Sequence, residues 1–297
     1  MRHYPTLLNA IFIGDRVLDI GHALGCYPRA LIGGQVPLTD KDFPFIRHLE
    51  CILCVMGPKR ALLMKAYETM GIERVVVEHS DCTPDPASIV DELRASGLTV
   101  DVVDFTQGMG RAFEDAGRIF GRPDEAARAA RRHERDMEAM QRPVAPLGRR
   151  VVTLLGLTNP QRNEHYLLLE TPGGHLDTRI LTPLGCENAG ALLMDMAEEV
   201  VMEGIQRVSS PDRLDRLDEA APDAIVLTGD PLVGLMALQE AVARKPSLAR
   251  SVPALAAHAV YALPHCCSAL PASLPRIWTE WRNALSPQAA PCTQRQQ

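Results

Sequence analysis

The stretch Gly117-Arg118-Ile119-Phe120-Gly121-Arg122-Pro123-Asp124-Glu125-Ala126-Ala127-Arg128-Ala129-Ala130-Arg131-Arg132-His133-Glu134-Arg135-Asp136-Met137-Glu138-Ala139-Met140 decides how the chain is divided. From Pro123 onward it reads as one long helix. Proline suits the first helical position, Asp124 and Glu125 meet the positive end of the helix dipole, and Ala, Arg, Glu and Met propagate helix well. The helix must stop before Arg142-Pro143-Val144-Ala145-Pro146-Leu147-Gly148, because proline lacks the N–H that the next turn needs. Arg128, Arg131, Arg132 and Arg135 form a solvated face, with Glu134 and Glu138 as pairing partners. The sequence on each side is a run of short apolar strands alternating with helices. The helix is therefore read as a stiff spacer between two α/β lobes, with a ligand site expected in the crevice between them.

Before the spacer, Asn9 to Ile13 is a strand followed by Gly14-Asp15-Arg16 and a helical pattern ending at Gly25. Ala30 to Gly34 is a second strand, and Cys51 to Met56 a third, stopped by Gly57-Pro58. A helix from about Lys59 to Met70 leads to Arg74-Val75-Val76-Val77-Glu78, which opens into His79-Ser80-Asp81-Cys82. Pro86 to Ser96 is helical and Thr99 to Val103 is a fifth strand. Near-continuous apolar strands of this kind imply a parallel sheet covered on both faces.

The scheme restarts after the spacer. Arg150 to Leu155 and Tyr166 to Leu169 read as strands, Leu192 to Glu203 as a helix, and Ser209-Ser210-Pro211-Asp212-Arg213-Leu214 as the start of another. Pro222 to Pro231 reads as a strand running into a loop, followed by a helix with Leu235, Leu238 and Val242 on one face. The last strand, Ala259 to Leu263, opens into Pro264-His265-Cys266-Cys267-Ser268, and a final helix carries Ile277, Trp278 and Trp281. The expected fold is α/β, with two parallel-sheet, three-layer lobes joined by one long interdomain helix. The expected divisions are 1–121, a linker over 122–148, a second lobe over 149–287 and a frayed tail over 288–297.

Composition narrows the function classes. The 297 residues suffice for two domains, with 46% hydrophobic and 23% charged residues. A net charge of −6, with both signs interspersed, excludes a nucleic-acid footprint. No apolar run approaches membrane-spanning length. The apolar N-terminal run is interrupted at Asp15 and Arg16 and reads as a strand, so a cytoplasmic location is expected, or a periplasmic one if a leader precedes it. The eight cysteines show no repeated zinc-type pairing. Cys51-Ile52-Leu53-Cys54 stands alone; on a strand its two thiols face opposite sides, as core residues.

Several phrases, taken together, resemble the substrate-binding proteins of ABC importers that handle iron–siderophore complexes, haem, cobalamin and oxyanions. They are His22-Ala23-Leu24-Gly25 running into Arg29-Ala30-Leu31-Ile32-Gly33-Gly34; Gly97-Leu98-Thr99-Val100-Asp101-Val102-Val103; and Gly117 to Arg122 with the helix that follows. Leu214 to Thr228 and Val252-Pro253-Ala254-Leu255 through Tyr261 also fit. This resemblance implies the helical-backbone (class III) periplasmic-binding-protein-like fold, with an ABC permease as partner.

In open parallel sheets, ligands bind beyond the carboxyl ends of the strands. That rule selects Gly14-Asp15-Arg16, Gly34-Gln35, Gly57-Pro58-Lys59-Arg60 and His79 to Cys82 in the first lobe. In the second it selects Leu157-Thr158-Asn159, Gly173-Gly174-His175, Gly229-Asp230 and His265-Cys266-Cys267. Asp15, Arg16, Lys59, Arg60, Asn159, Gly173, Gly174 and Asp230 are the candidates for gripping an anion or the carboxylates of a chelate. His79, Cys82, His175, His265, Cys266 and Cys267 are the candidate metal ligands, with Cys186 a further donor, because imidazole and thiolate suit soft or borderline metals. Ligation through His265 and Cys266 requires them to face a ligand rather than a lobe's interior.

The expected function is a non-enzymatic binding protein that holds a metal-containing ligand: an iron chelate, haem, corrinoid or metal cofactor. A second reading is a cytosolic carrier or assembly scaffold handing a metal or iron–sulfur cofactor to an accepting protein, with Cys82, His265, Cys266 and Cys267 as ligands. An enzyme acting on a metallated substrate is a third. Catalytic motifs do not support it: there is no Gly-x-Ser-x-Gly, Walker loop, Gly-x-Gly-x-x-Gly or His-Glu-x-x-His.

Overall fold

A computed structural model describes residues 5–34, 43–142, 144–159, 164–170, 172–194, 200–202, 205–209 and 214–286. The chain forms two compact units. One takes Met1–Arg142 with Met202–Ile205 and Cys267–Pro275, and the other takes Pro143–Val201, Gln206–Cys266 and Arg276–Gln297.

The first unit is built on a five-stranded sheet. Its strands are β1 (Thr6–Ile13), β2 (Cys26–Gly33), β3 (Arg47–Cys51), β4 (Arg74–His79) and β5 (Val100–Asp104). Their order is β3-β2-β1-β4-β5, and every neighbouring pair is parallel. Ala10 to Ile13 are all fully buried, which is the mark of a strand covered on both faces. Ile11, Ile13, Val75 and Val77 pack on one side with Ile52, Leu63 and Leu93. On the other, Phe12 stacks on Phe120 with ring centroids 5.4 Å apart. Each such side chain contributes roughly 1.5–3 kcal/mol by leaving water.

The spacer stretch forms one helix, Pro123–Gln141, with proline in its first turn beside Asp124 and Glu125. Ala126 and Ala129 are its buried residues. They are small for a reason. The helix Met109–Ile119 approaches so closely that a Cβ on Gly117 would lie 2.4 Å from the Cβ of Ala126.

Two local expectations in this unit are corrected. The strand over Cys51–Met56 is instead the end of β3 followed by the short helix Ile52–Met56, because the Cys51 side chain caps that helix by accepting from the Cys54 N–H. Cys51 and Cys54 are therefore neighbours, not core residues on opposite faces, and each is half-buried. Gln35 lies outside the described residues.

The second unit is built on β6 (Arg150–Asn159), β7 (Glu164–Glu170), β8 (Glu187–Asn188), β9 (Val200–Met202), β10 (Ile205–Ser209), β11 (Ala224–Gly229) and β12 (Val260–Ala262). The order is β12-β11-β6-β7-β10-β9, with β8 also pairing β6. β12, β11, β6 and β8 are mutually parallel, as expected. β7, however, runs antiparallel to β6 and to β10, so this sheet is mixed. The reason is connection length. Asn159 pairs with Glu164 across a link too short for the crossover that a parallel neighbour needs.

Of the helix expected over Leu192–Glu203, residues 195–199 and 203 lie outside the described residues, and the described ones are not α-helical. A 3-10 turn covers Ala189–Leu193, and Val200–Met202 is strand, in keeping with its β-branched pair. Of the helix start expected at Ser209 to Leu214, residues 210–213 lie outside the described residues, and Ser209 ends β10. The tail beyond 286 is likewise outside them.

Candidate functional site

In the first sheet the chain builds β2 and β3 to one side of β1, then crosses to place β4 and β5 on the other. The order reverses between β1 and β4, the position at which open α/β sheets open a crevice beyond their carboxyl ends. Gly14, Asp15 and Arg16 follow β1 there, and His79 to Cys82 follow β4. The sequence rule thus brings these two loops together.

Glu78, the residue before His79, organises them. Its carboxylate is fully buried and accepts from the backbone N–H of Arg16 (2.9 Å) and from Ser80 Oγ (2.7 Å). The Arg16 guanidinium lies 3.7 Å from Glu78 and reaches the exposed Asp81 at 2.8 Å. Burial pushes the Glu78 carboxyl up to about 7, against the pull of Ser80 and Arg16. The Cys82 N–H donates to Ser80 Oγ at 3.4 Å, and burial raises its thiol. Asp15 turns back to accept from the Gly34 N–H at 3.0 Å.

His79 has the clearest ligand-like setting. Its Nδ1 lies 2.6 Å from Asp85 Oδ2, and its side chain keeps 42% exposure. Asp85 is itself held, accepting from the N–H groups of Ser80 (3.2 Å) and Ala87 (3.0 Å). A carboxylate on Nδ1–H fixes the ring and directs the Nε2 lone pair outward, the arrangement found behind metal-bound histidines.

The basic candidates are already ion-paired. Arg16 binds Glu78 and Asp81, Lys59 binds Glu50 at 2.7 Å, and Arg60 binds Glu92. An incoming anion would have to displace or share these carboxylates.

In the second unit, Asp230 caps the helix Pro231–Arg244 and accepts from Thr158 Oγ1 at 2.7 Å. Thr158 also lies 3.2 Å from His165 Nδ1. Nothing is described of the Asn159 side chain. The Gly173 N–H donates to Asp177 at 2.6 Å, and Gly174 accepts from Thr178 at 2.9 Å, so these glycines build a local turn.

His265, Cys266 and Cys267 are corrected as loop-borne ligands. All three are buried, at 2%, 1% and 5% exposure. Helix Leu274–Leu285 brings fully buried Trp281 against this segment, its indole N–H donating to the Pro264 carbonyl at 2.9 Å, so the apolar face of the final helix covers what sequence treated as an open loop. His265 Nδ1 is 3.4 Å from Thr228 Oγ1, and its Nε2 has no hydrogen-bond partner. Burial, and the nearby His175, drive the His265 pKa down to about 3, while burial lowers His175 to about 4. Burial beside Glu170 raises the Cys266 thiol to about 12, so it stays protonated and is a poor ligand as it stands. Cys186 is half-buried, and burial raises its thiol also.

Sequence reasoning missed three residues: Glu78, Asp85 and Glu170. Glu170 is buried at the end of β7, accepts from the Leu176 N–H, and is raised by burial to about 8. The signal was present for two of them. Glu78 closes Val75-Val76-Val77 and Glu170 closes Leu167-Leu168-Leu169, and an acid ending a buried apolar run must find a partner or stay protonated. Among the described residues, the group of three His, Cys, Asp or Glu side chains whose donor atoms converge to metal-binding separations is Glu50, Cys51 and Cys54, and none of the predicted metal ligands belongs to it.

The sequence matches no family model and no curated protein. Solved structures do match in fold. The apo periplasmic haem-binding protein RhuT from Roseiflexus sp. RS-1 is 14% identical with a TM-score of 0.55, covering 94% of this chain and 98% of its own. The periplasmic haem-binding protein HutB of Vibrio cholerae is 18% identical with a TM-score of 0.53, covering 94% and 99%. The periplasmic vitamin B12 binding protein BtuF of Vibrio cholerae is 13% identical with a TM-score of 0.51, covering 95% and 98%. Over more than nine-tenths of its length, this chain has the α/β fold of these periplasmic haem- and vitamin B12-binding proteins.

Proposed function

We propose that the protein binds a metal-containing ligand of the iron-chelate, haem or corrinoid class, with His79 as donor to its metal. The observation that carries this reading is the His79–Asp85 pair at the carboxyl end of β4, next to the sheet's reversal point. An imidazole whose Nδ1–H is held by a carboxylate presents Nε2 without further reorganisation. The fold likeness to haem- and vitamin B12-binding proteins supports the ligand class, and an ABC permease is then the partner. Cys82, three residues on and half-buried, is a second donor. An iron–sulfur carrier would have to present Cys266 and Cys267, and both are buried.

The test is to titrate the purified chain separately with haemin, a cobalamin and a ferric hydroxamate, following absorbance and thermal unfolding. A ligand at about 100 times its Kd stabilises by about 2.7 kcal/mol, which for a chain of this size raises Tm by roughly 4 °C. His79→Ala should abolish the spectral change, and Asp85→Asn should weaken binding by about 10–100-fold. Absence of any saturable shift with all three probes would overturn the proposal.

A further inference from the structure

Cys51-Ile52-Leu53-Cys54 is the sequence feature that the binding reading leaves unused. β3 ends at Cys51, whose backbone is extended (φ −72°, ψ 150°), and the chain then turns into the helix Ile52–Met56. A capping residue and the residue three positions on lie over one another, so both thiols come to the same side, and the Cys54 N–H donates to Cys51 Sγ at 3.4 Å. Ile52 and Val55 point the other way and are fully buried, which anchors the turn. Glu50 folds back over it: Oε1 accepts from the Cys51 N–H at 3.1 Å, and Oε2 binds Lys59 Nζ at 2.7 Å.

We infer that Glu50, Cys51 and Cys54 form a binding site for a single soft or borderline divalent cation of the zinc or cadmium type. One carboxylate oxygen and both sulfurs lie within 4.8 Å of one another, and all three residues are half-buried rather than sealed. A tetrahedral ion, with bonds of about 2.3 Å to sulfur and about 2.0–2.2 Å to oxygen, needs donors about 3.5–3.8 Å apart. The cluster has only to contract slightly. Two thiolates favour zinc-like ions over magnesium or calcium, which take oxygen ligands. The charges also balance. Two thiolates and a carboxylate around a divalent ion leave one negative charge, and Lys59, already bonded to Glu50, neutralises it. Three protein donors leave the fourth position for water or an exogenous ligand. Binding replaces the two thiol protons with the ion and releases them to solvent; no redox change is involved.

The test uses the full chain, reduced and stripped with chelator under anaerobic conditions, and titrated with Cd2+ while the ultraviolet thiolate-to-metal charge-transfer band is followed. One ion per chain should bind, with about two protons released. Cys51→Ser and Cys54→Ser should each remove most of the band and weaken binding at least about 30-fold. Serine is a good N-cap, so Cys51→Ser keeps the helix start while removing the soft donor. Far-ultraviolet circular dichroism and Tm of the metal-free variants should match the parent. Glu50→Gln should keep the two-thiolate band but weaken binding by about 10-fold. Cys26→Ser should leave Cd2+ binding unchanged. Unchanged Cd2+ binding in the folded Cys51→Ser and Cys54→Ser chains, or no charge-transfer band in the parent, overturns the site.

Discussion

The backbone N–H of Arg16 donates to Oε2 of Glu78 at 2.9 Å, tying the start of the helix that follows β1 to the end of β4. The bond leaves no room around it. A Cβ added to Gly14 would lie 2.4 Å from both the Cβ and Oε2 of Glu78, and Gly14 has a φ of +115°, a conformation that side chains rarely adopt. Gly14→Ala should therefore displace Glu78 and destabilise the chain by about 2–4 kcal/mol. Urea midpoints checked at constant m-value measure this, and a change under about 0.5 kcal/mol would mean that the loop accommodates the methyl.

Glu170 makes stability fall as pH rises. Its carboxyl is raised from the usual carboxylate range to about 8 by burial. The folded state therefore holds a proton that the unfolded chain has already released. The group's contribution is fully present below about pH 4.5 and is lost as pH rises through 8. Glu170→Gln keeps an acceptor for the Leu176 N–H and has no proton to lose. It should flatten the decline in stability between pH 5 and pH 8, a difference on the order of 3 kcal/mol. Parallel urea titrations of parent and variant across that range decide the matter.

His265 does the opposite. Burial lowers its pKa from 6.5 to about 3, so the folded state keeps it neutral while the unfolded chain protonates. Its contribution is present above pH 6.5 and is lost as pH falls toward 3. His265→Gln should remove part of the acid sensitivity. Between pH 6.5 and 4.5 the parent should lose about 2–3 kcal/mol more than the variant. Equal acid slopes would show that other groups carry the acid limb.

Asp19, fully buried, receives the N–H groups of Ala272 (2.6 Å) and Ser273 (3.2 Å) and the hydroxyl of Ser273. It thereby fastens the segment before the final helix into the first unit. Asp19→Ala leaves buried donors without an acceptor and should destabilise by about 3–5 kcal/mol. Asp19→Asn, which retains one acceptor oxygen, should lose less. Faster limited proteolysis around residues 267–275 in the alanine variant is the accompanying readout.

Much of the fold was legible beforehand. Val75-Val76-Val77 and Ile11-Phe12-Ile13 read as doubly covered parallel strands and are so, because a sheet buried on both faces writes itself as an unbroken apolar run. Tyr166 to Leu169 misled because its apolar residues belong to a hairpin strand with one open face, where Tyr166 remains 45% exposed. The candidate site was legible in part. The strand-end rule picked out His79 and Arg16 as candidates but not the acids that hold them, since Asp85 and Glu78 sit outside any motif.

The alternation of strands and helices, the single long helix from Pro123 and the strand ends that carry polar loops were determined by the sequence alone, because periodicity, proline and glycine act over a few residues. Which side chains meet was decided only by the tertiary structure. Packing buried His265 and Cys266, which a loop would have offered to a metal. The turn after β3 brought Cys51 and Cys54, which a strand would have parted, to a common side. Burial and contact depend on residues far apart in the chain, and no local pattern encodes them.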